Sequence, residues 1–395
     1  MTYDCIIIGA GAAGLYCGAA FEKPLCGLIL EKTKRPGTKL LISGGGQCNV
    51  THDGSIKDFV AAYGKNGSKV RSCLYKYNNQ DLMKFLRDGG VETVIREDGK
   101  VFPKTMEARD ILNLLLSKTR ANGFAIRYES PVCRIQRRAD GLWQVFTNNE
   151  AYLCRNLVAA SGGCSYPSTG SDGSMFTVLQ RDLNLEITEL RPALTPVNVL
   201  GYPYRELAGL AFEEVHLSLW RNDRKITEGV GSLLFTHENF SGPLFLNISK
   251  DITKDDKIVL NYLYPCDKII ALERINHAVQ NSKMNLPNTL SKETHLPKSF
   301  LQAIVNETGN KLKATASKLT ADTFIVKNVE GYHKAMVTCG GISLKEINPK
   351  TMEMKRYPHL YAIGEVLDID GWTGGYNLQF AYSSARAASS DITMT

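Results

Sequence analysis

Tyr3-Asp4-Cys5-Ile6-Ile7-Ile8 runs directly into Gly9-Ala10-Gly11-Ala12-Ala13-Gly14, and Gly27-Leu28-Ile29-Leu30 ends on Glu31. The first apolar run predicts a strand, the glycines a tight turn into a helix, and the second apolar run the next strand of a βαβ unit. Gly9 permits the backbone angles of the turn. Gly11 lets the backbone approach a pyrophosphate, and Gly14 lets the helix pack closely on the strand. Gly18, one helical turn further, extends that close contact. The N–H groups of Ala12 and Ala13 open the helix and point at phosphate oxygens. Glu31 falls about twenty residues after Gly9, where an acid accepts hydrogen bonds from ribose hydroxyls and repels a 2′-phosphate. An ADP-containing cofactor is expected, and this stretch alone suits NAD and FAD equally.

The 395 residues are enough for two or three domains. Lys and Arg number 47 against 40 acidic residues, a formal charge of +7. The excess suits anionic cofactors and substrates. It is spread along the chain without the dense clusters of a nucleic-acid surface, so no nucleic-acid partner is expected. Arg134-Ile135-Gln136-Arg137-Arg138 reads as the solvated face of a strand. The first strand starts at residue 3, so no signal peptide is expected, and no apolar run reaches membrane-spanning length. Ten cysteines occur without a C-x-x-C pair, so free thiols are expected and no zinc ribbon or dithiol centre. No cluster has metal-ligand spacing. A cytoplasmic protein acting on a small molecule is expected; its oligomeric state is left open.

Helical periodicity appears at Leu82, Phe85 and Leu86 and at Ile111, Leu112, Leu115 and Leu116, with Gly123 as a stop. Asp98-Gly99 and Asp140-Gly141 read as hairpin turns, and Val132 to Ser161 as a meander of three or four strands. After Pro192, Val215, Leu217 and Leu219 alternate with polar neighbours, and Lys257 to Tyr264 is strand-like. This is the pattern of an antiparallel barrel. The polar stretch from Asp267 to Ala321 reads as a small helical module. Strand character returns near Phe324, and Leu360 to Ala362 forms a last strand before a helix over Leu378 to Ala388. The expected α/β architecture is a nucleotide-binding domain over 1–190 and 337–395. An inserted barrel (191–266 and 322–336) and a helical domain (267–321) interrupt it.

An NAD dehydrogenase completes its cofactor site within one contiguous Rossmann domain. Here a β-meander follows the first unit, and a glycine-flanked strand returns near the C-terminus, which favours the longer FAD. The chain also resembles the YhiN/BaiN-type family of NAD(P)/FAD-dependent oxidoreductases, which includes aminoacetone oxidase. The resemblance rests on the opening fingerprint, Lys39–Thr51, Gly99–Pro103, Gly162–Ser171, Leu233–His237 with Ser241–Pro243, Val337–Gly341, and Gly364–Asp368 with Gly374–Gln379. It implies a glutathione-reductase-like FAD-binding Rossmann domain carrying an inserted β-barrel and a small helical domain. Two positions depart from the family pattern: Gln47 stands where Arg is usual and Cys164 where Lys is usual. Each removes a cation and puts a shared acidic substrate in doubt.

Noncovalently held FAD is expected, because the pyrophosphate loop, Glu31 and the Gly364–Asp368 segment together span a long dinucleotide. Cofactor contacts are expected from Gly9, Gly11, Ala12, Ala13, Gly14, Glu31 and Lys32, and from Lys39, Leu40, Ser43, Gly44, Gly45, Gly46, Cys48 and Asn49. Further contacts are expected from Val132, Ser161, Gly162 and Gly163, then Gly364, Glu365 and Asp368, and finally Gly374, Gly375, Tyr376, Asn377 and Leu378. Gly374 to Asn377 precede the last helix, whose N-terminus would stabilise charge gathered near N1 and C2=O of a reduced flavin. Cys48 reads either as packing or as a redox thiol. His237 follows an apolar strand; it reads as a general acid delivering a proton or as a structural cap, with Tyr166 as a second donor. With only one G-x-G-x-x-G, NAD(P)H is expected to dock transiently as electron donor. The expected reaction is reduction of an activated C=C in a small apolar, steroid-like ketone. An amine oxidase using O2 and an FAD-carrying binding protein are the alternatives.

Overall fold

The computed structural model describes residues 1–394 and divides into two compact units, 1–192 with 336–394, and 193–335. In the first unit an eight-stranded sheet runs in the order Glu353–Met354, Tyr357–Ala362, Ala151–Ala159, Thr2–Ile8, Gly27–Leu30, Phe124–Arg127. The five strands from Tyr357–Ala362 to Phe124–Arg127 are mutually parallel, and the hairpin of Val132–Arg137 and Trp143–Thr147 joins through Ala151–Ala159. The meander therefore has three strands. Buried on both faces, Thr2–Ile8 is apolar from Cys5 onward, as a central parallel strand requires.

The helix Ala12–Ala19 carries the chain from Thr2–Ile8 to Gly27–Leu30 on one side, while Ala151–Ala159 lies on the other. The gap between Ile8 and Ala159 is thus a topological switch point, where open α/β sheets place their ligands. Register aligns the strand ends: Ile8 pairs with Leu30 and with Ala159, and Ala159 pairs with Ala362. Gly9, Glu31, Ala160 and Ile363 all leave the sheet at one level.

The helix Ala108–Ala121 packs on the first helix through Gly18, where a Cβ would come within 2.9 Å of Thr119. A second small sheet joins Thr51–His52, Lys100–Pro103 and Thr93–Ile95, with the Asp98-Gly99 turn between the last two. The C-terminal helix spans Tyr376–Met394, longer than expected, since no glycine or proline interrupts the sequence after Leu378.

The second unit holds a closed barrel of Val197–Val199, Phe240–Ser241, Arg224–Phe235, Ala211–Arg221, Lys257–Asn261 and Asp322–Val329. Val215, Leu217 and Leu219 point into its core with Phe212, Phe235 and Phe240. The expected strand to Tyr264 ends at Asn261, whose side chain takes the Leu263 N–H at 2.9 Å and turns the chain. Four helices, Lys268–Gln280, Leu286–Thr294, Lys298–Glu307 and Leu312–Thr320, lie between the last two barrel strands. Buried Asp322 accepts hydrogen bonds from the hydroxyls of Tyr204 and Tyr262 and pairs with Lys318 at 2.9 Å. Burial pushes its carboxyl above the usual range despite these partners.

Candidate functional site

The glycine turn has the tight geometry its sequence requires. Gly9 has φ +104°, and a Cβ there would stand 2.6 Å from the Ala160 carbonyl oxygen. A Cβ on Gly14 would lie 2.0 Å from the Gly9 oxygen. Gly11 caps the first helix without any side-chain bond, and the space its Cβ would enter is open to 4 Å. The leading N–H groups of the helix have no intrahelical acceptor and face that opening.

Glu31 is buried. One carboxylate oxygen takes the Ala10 N–H at 2.7 Å and the other takes Thr33 N–H and Oγ1 at 2.7 and 2.8 Å. The acid therefore shapes the glycine turn from the adjacent strand end. Ser130 donates its N–H to the Glu31 carbonyl at 2.9 Å, which sets Val132 just beyond the same edge. Lys32 is drawn aside into an ion pair with Asp172 and a bond to Ser174 Oγ. Burial works against the Asp172 charge, but Lys32 and Ser174 outweigh it and hold the carboxyl below its usual range.

Ser161, Gly162 and Gly163 emerge beside Gly9. The Ser161 and Ser171 hydroxyls are buried and lack a partner, and a Cβ on Gly162 would come within 2.9 Å of Ser171 Oγ. Gly170 crosses over Thr33 and Glu31. An uncapped helix N-terminus, a buried carboxylate and two orphaned hydroxyls around one opening fit a dinucleotide such as FAD.

Gly364 and Glu365 join the opening from the C-terminal strand. Gly364 is at φ +68° against Ala13, and its N–H is held by Ser384 Oγ at 3.0 Å. The Glu365 carboxylate accepts from Lys39 Nζ at 2.7 Å, Ser165 Oγ at 2.9 Å and Thr338 N–H at 2.8 Å. Thr338 Oγ1 in turn takes the Cys164 N–H at 2.7 Å. Lys39 and Glu365 were expected at the cofactor, and here they tie four segments of the chain together. Ser165 and Thr338, which complete the knot, lie inside recognisable segments, but nothing in their type or spacing singles them out.

The loop Ser43–Gly46 carries Gly44, Gly45 and Gly46 at positive φ, and a Cβ on Gly45 meets nothing within 4 Å. Leu40 is buried, and so is Cys48, whose thiol is pushed up to about 12 by burial. That thiol is protonated at neutral pH, which favours packing over redox chemistry. Asn49, with its amide turned to satisfy both ends, donates to the Thr51 and Val101 carbonyls and accepts from Gly375 N–H at 3.1 Å. A Cβ on Gly375 would lie 2.4 Å from the Thr51 oxygen, so only glycine passes there. Asn377 closes the turn through both backbone groups of Gly371. Buried Tyr376 stacks on His52 at 5.2 Å, and Leu378 is half-buried on the following turn of helix. Asp368 is partly exposed; its carbonyl accepts from Asn66 Nδ2 at 2.8 Å.

At the two departures, Gln47 Oε1 accepts from the Arg96 guanidinium at 2.8 Å, so a cation stands there although residue 47 supplies none. Cys164 is buried, with its sulfur 2.6 Å from the place a Gly173 Cβ would take. Tyr166 is half-buried at φ 53° before the turn Pro167–Thr169. His237 belongs to the second unit, exposed on the turn between Arg224–Phe235 and Phe240–Ser241, which Thr236 and Asn239 hold. No helix is long and apolar enough to cross a membrane among the described residues.

The chain matches the family described as HI0933-like protein Rossmann domain over residues 3–391. It is 32% identical to ribosomal RNA dihydrouridine synthase of Escherichia coli (strain K12), covering 99% of this chain and 98% of that one. It is 25% identical to 3-dehydro-bile acid delta(4,6)-reductase of Clostridium scindens, over 97% of each chain. The structure of 3-ketosteroid delta1-dehydrogenase from Sterolibacterium denitrificans shares the fold, with a TM-score of 0.55 at 10% identity over 100% of this chain and 99% of that one. A family match over nearly the whole length, on a fold whose glycine turn and strand ends frame a dinucleotide site, identifies the chain as an FAD-dependent oxidoreductase of the HI0933-like Rossmann family.

Proposed function

We propose that this enzyme reduces the C5=C6 bond of a uracil base in ribosomal RNA, with electrons from NAD(P)H. The observation that carries the reading is the 32% identity, over 99% of the chain, to a ribosomal RNA dihydrouridine synthase. The chemistry agrees with the expectation of an activated alkene. In uracil C5=C6 is conjugated to the C4 carbonyl, so hydride adds at C6 and the enolate-type centre takes a proton at C5. This reading departs from the expectation of a protein without nucleic-acid partners; the net charge of +7 suits a polyanion.

FAD, when bound, supplies the hydride chemistry. The protein's part is to hold and polarise. The glycine turn and the leading amides of helix Ala12–Ala19 would receive the pyrophosphate, and Glu31 would receive a ribose. The N-terminus of Tyr376–Met394, held by Asn377 and Asn49, offers positive potential to developing negative charge. The proton for C5 is assigned to His237, with Tyr166 as the second donor.

Reduction of a steroid-like ketone is the second reading, favoured by the 25% identity to the bile acid reductase. Holoenzyme with NADH or NADPH is incubated with an unmodified ribosomal RNA transcript, and digested nucleosides are read by mass spectrometry. Dihydrouridine is the expected product. Its absence, with consumption of an unsaturated 3-oxo steroid, moves the assignment to the ketone; oxygen uptake with small amines moves it to the oxidase.

A further inference from the structure

An RNA substrate poses a geometric demand. A uracil inside a stacked helix cannot reach a buried ring, so the base must be unstacked and its flanking strand held. One surface of the first unit has the chemistry for this. Between Asp58 and Asp81 the chain carries Lys65, Lys69, Arg71 and Lys76 and no carboxylate. Ser55–Asp58 and Asn78–Asp81 close both flanks as helix caps, so the two bounding acids are spent on backbone N–H groups.

The four cations lie on the turn Gly64–Asn66 and the helix Gly67–Lys76, and all are exposed. Spacing gathers what the sequence spreads: Lys69 and Lys76 are seven apart on one face, and Arg71 and Tyr75 four apart on the next. Tyr75 is 66% exposed, an aromatic ring set among cations. Ser72 Oγ bonds to the Pro349 carbonyl at 3.2 Å, which brings exposed Lys350 alongside.

The surface is also rooted in the candidate site. Asn66 Nδ2 donates to the Asp368 carbonyl at 2.8 Å. Trp372 donates its backbone N–H to Ala62 at 3.2 Å, and its side chain is 43% exposed on the turn that opens the C-terminal helix. Ala62 ends the helix that precedes the basic turn, and a large exposed indole anchored there can serve as a stacking platform for an unpaired base.

We infer that the helix Gly67–Lys76 with Lys65, Tyr75 and Trp372 is the docking surface for a single-stranded RNA segment, with cations on the phosphates and the indole under a base next to the target. The inference rests on the uracil reading above. Its test uses FAD-loaded enzyme and an unmodified ribosomal RNA transcript, with binding measured across a salt series. The triple variant Lys65→Gln, Lys69→Gln, Arg71→Gln is expected to bind at least tenfold more weakly at low salt. Its slope of log affinity against log salt should be shallower by about 2, at about 0.7 per lost phosphate contact. Trp372→Ala is expected to lose about fivefold to a hundredfold in affinity with the slope unchanged. FAD content and flavin reduction by NAD(P)H stay at wild-type values in the triple variant. If wild-type enzyme forms dihydrouridine while the triple variant keeps affinity and slope, the surface assignment falls and the uracil reading stands. If wild-type enzyme neither binds nor modifies the transcript, both fall.

Discussion

Gly364 and Ala13 meet so closely that a Cβ on Gly364 would stand 2.6 Å from the Cβ of Ala13, although the two lie at opposite ends of the chain. Gly364 is also at φ +68°, where a side chain is strained whatever the space. Gly364→Ala is therefore expected to push the C-terminal turn off the first helix, lowering stability by about 1–3 kcal/mol. Bound FAD per chain, read from the 450 nm to 280 nm absorbance ratio, and the melting temperature should fall together. A fully flavinated variant with an unchanged Tm would show that the contact is slack.

Acid precipitation is expected to release FAD into the supernatant; recovery of FMN, or of NAD alone, counts against the cofactor. Glu31→Ala removes an acceptor for ribose and also frees the Ala10 N–H that the carboxylate holds at 2.7 Å. A charged hydrogen bond is worth about 1.5–3 kcal/mol, so FAD affinity should drop by about tenfold to a hundredfold. Fluorescence titration of the apoprotein reads it directly.

His237 stands on an exposed turn, so His237→Ala should fold and keep its flavin. Loss of a positioned acid typically costs about a hundredfold to ten-thousandfold in rate. Flavin reduction by NAD(P)H should remain near wild type while substrate-dependent reoxidation slows by that factor. Unchanged reoxidation would make His237 structural and Tyr166→Phe the next variant.

No disulfide joins any of the cysteines among the described residues. Burial pushes the Cys17 and Cys48 thiols up to about 12 and raises those of Cys5, Cys73 and Cys154 as well. Cys133 is exposed. Brief iodoacetamide treatment of native protein at neutral pH should mark Cys133 ahead of these five, which react after unfolding. Rapid native labelling of Cys48 would reopen a redox role for it.

In the barrel unit, buried Asp256 pairs with Arg221 at 2.7 Å. Burial raises its carboxyl, but Arg221 and the Thr253 backbone outweigh burial and leave it below the ordinary 3.8. The ionised form thus favours the folded state. This stability is present above the unfolded value and is lost as pH falls through the lower folded one. Asp256→Asn should be less stable than wild type at pH 7, and the gap should close in acid below about pH 4. A gap independent of pH would mean that packing, not charge, holds the site.

The parts of the fold legible in the sequence were those with strong local pattern. Gly9 to Gly14 between two apolar runs dictates strand, turn and helix, and Val215, Leu217 and Leu219 show a half-buried barrel strand by alternation alone. The Asp98-Gly99 hairpin was legible, but the pairing of Thr51–His52 with Lys100–Pro103 was hidden, because two residues give no period and their partners lie far along the chain. The Lys39–Glu365–Ser165–Thr338 knot was hidden for the same reason: its members come from four separate segments. The basic helix was passed over because lysines spaced through a sequence look dilute until a helix stacks them.

Thr188 donates its N–H to Gly341 at 2.8 Å, and a Cβ on Gly340 would touch the Glu189 oxygen at 2.1 Å. The places where the chain leaves the nucleotide-binding unit and where it returns are therefore pinned side by side. Whatever is spliced between them begins and ends at the same doorway. Insertions, deletions and changes of sequence within residues 193–335 can accumulate without shifting the register of the parent sheet. Relatives that keep one cofactor frame while differing in what they reduce are the expected outcome of such an arrangement.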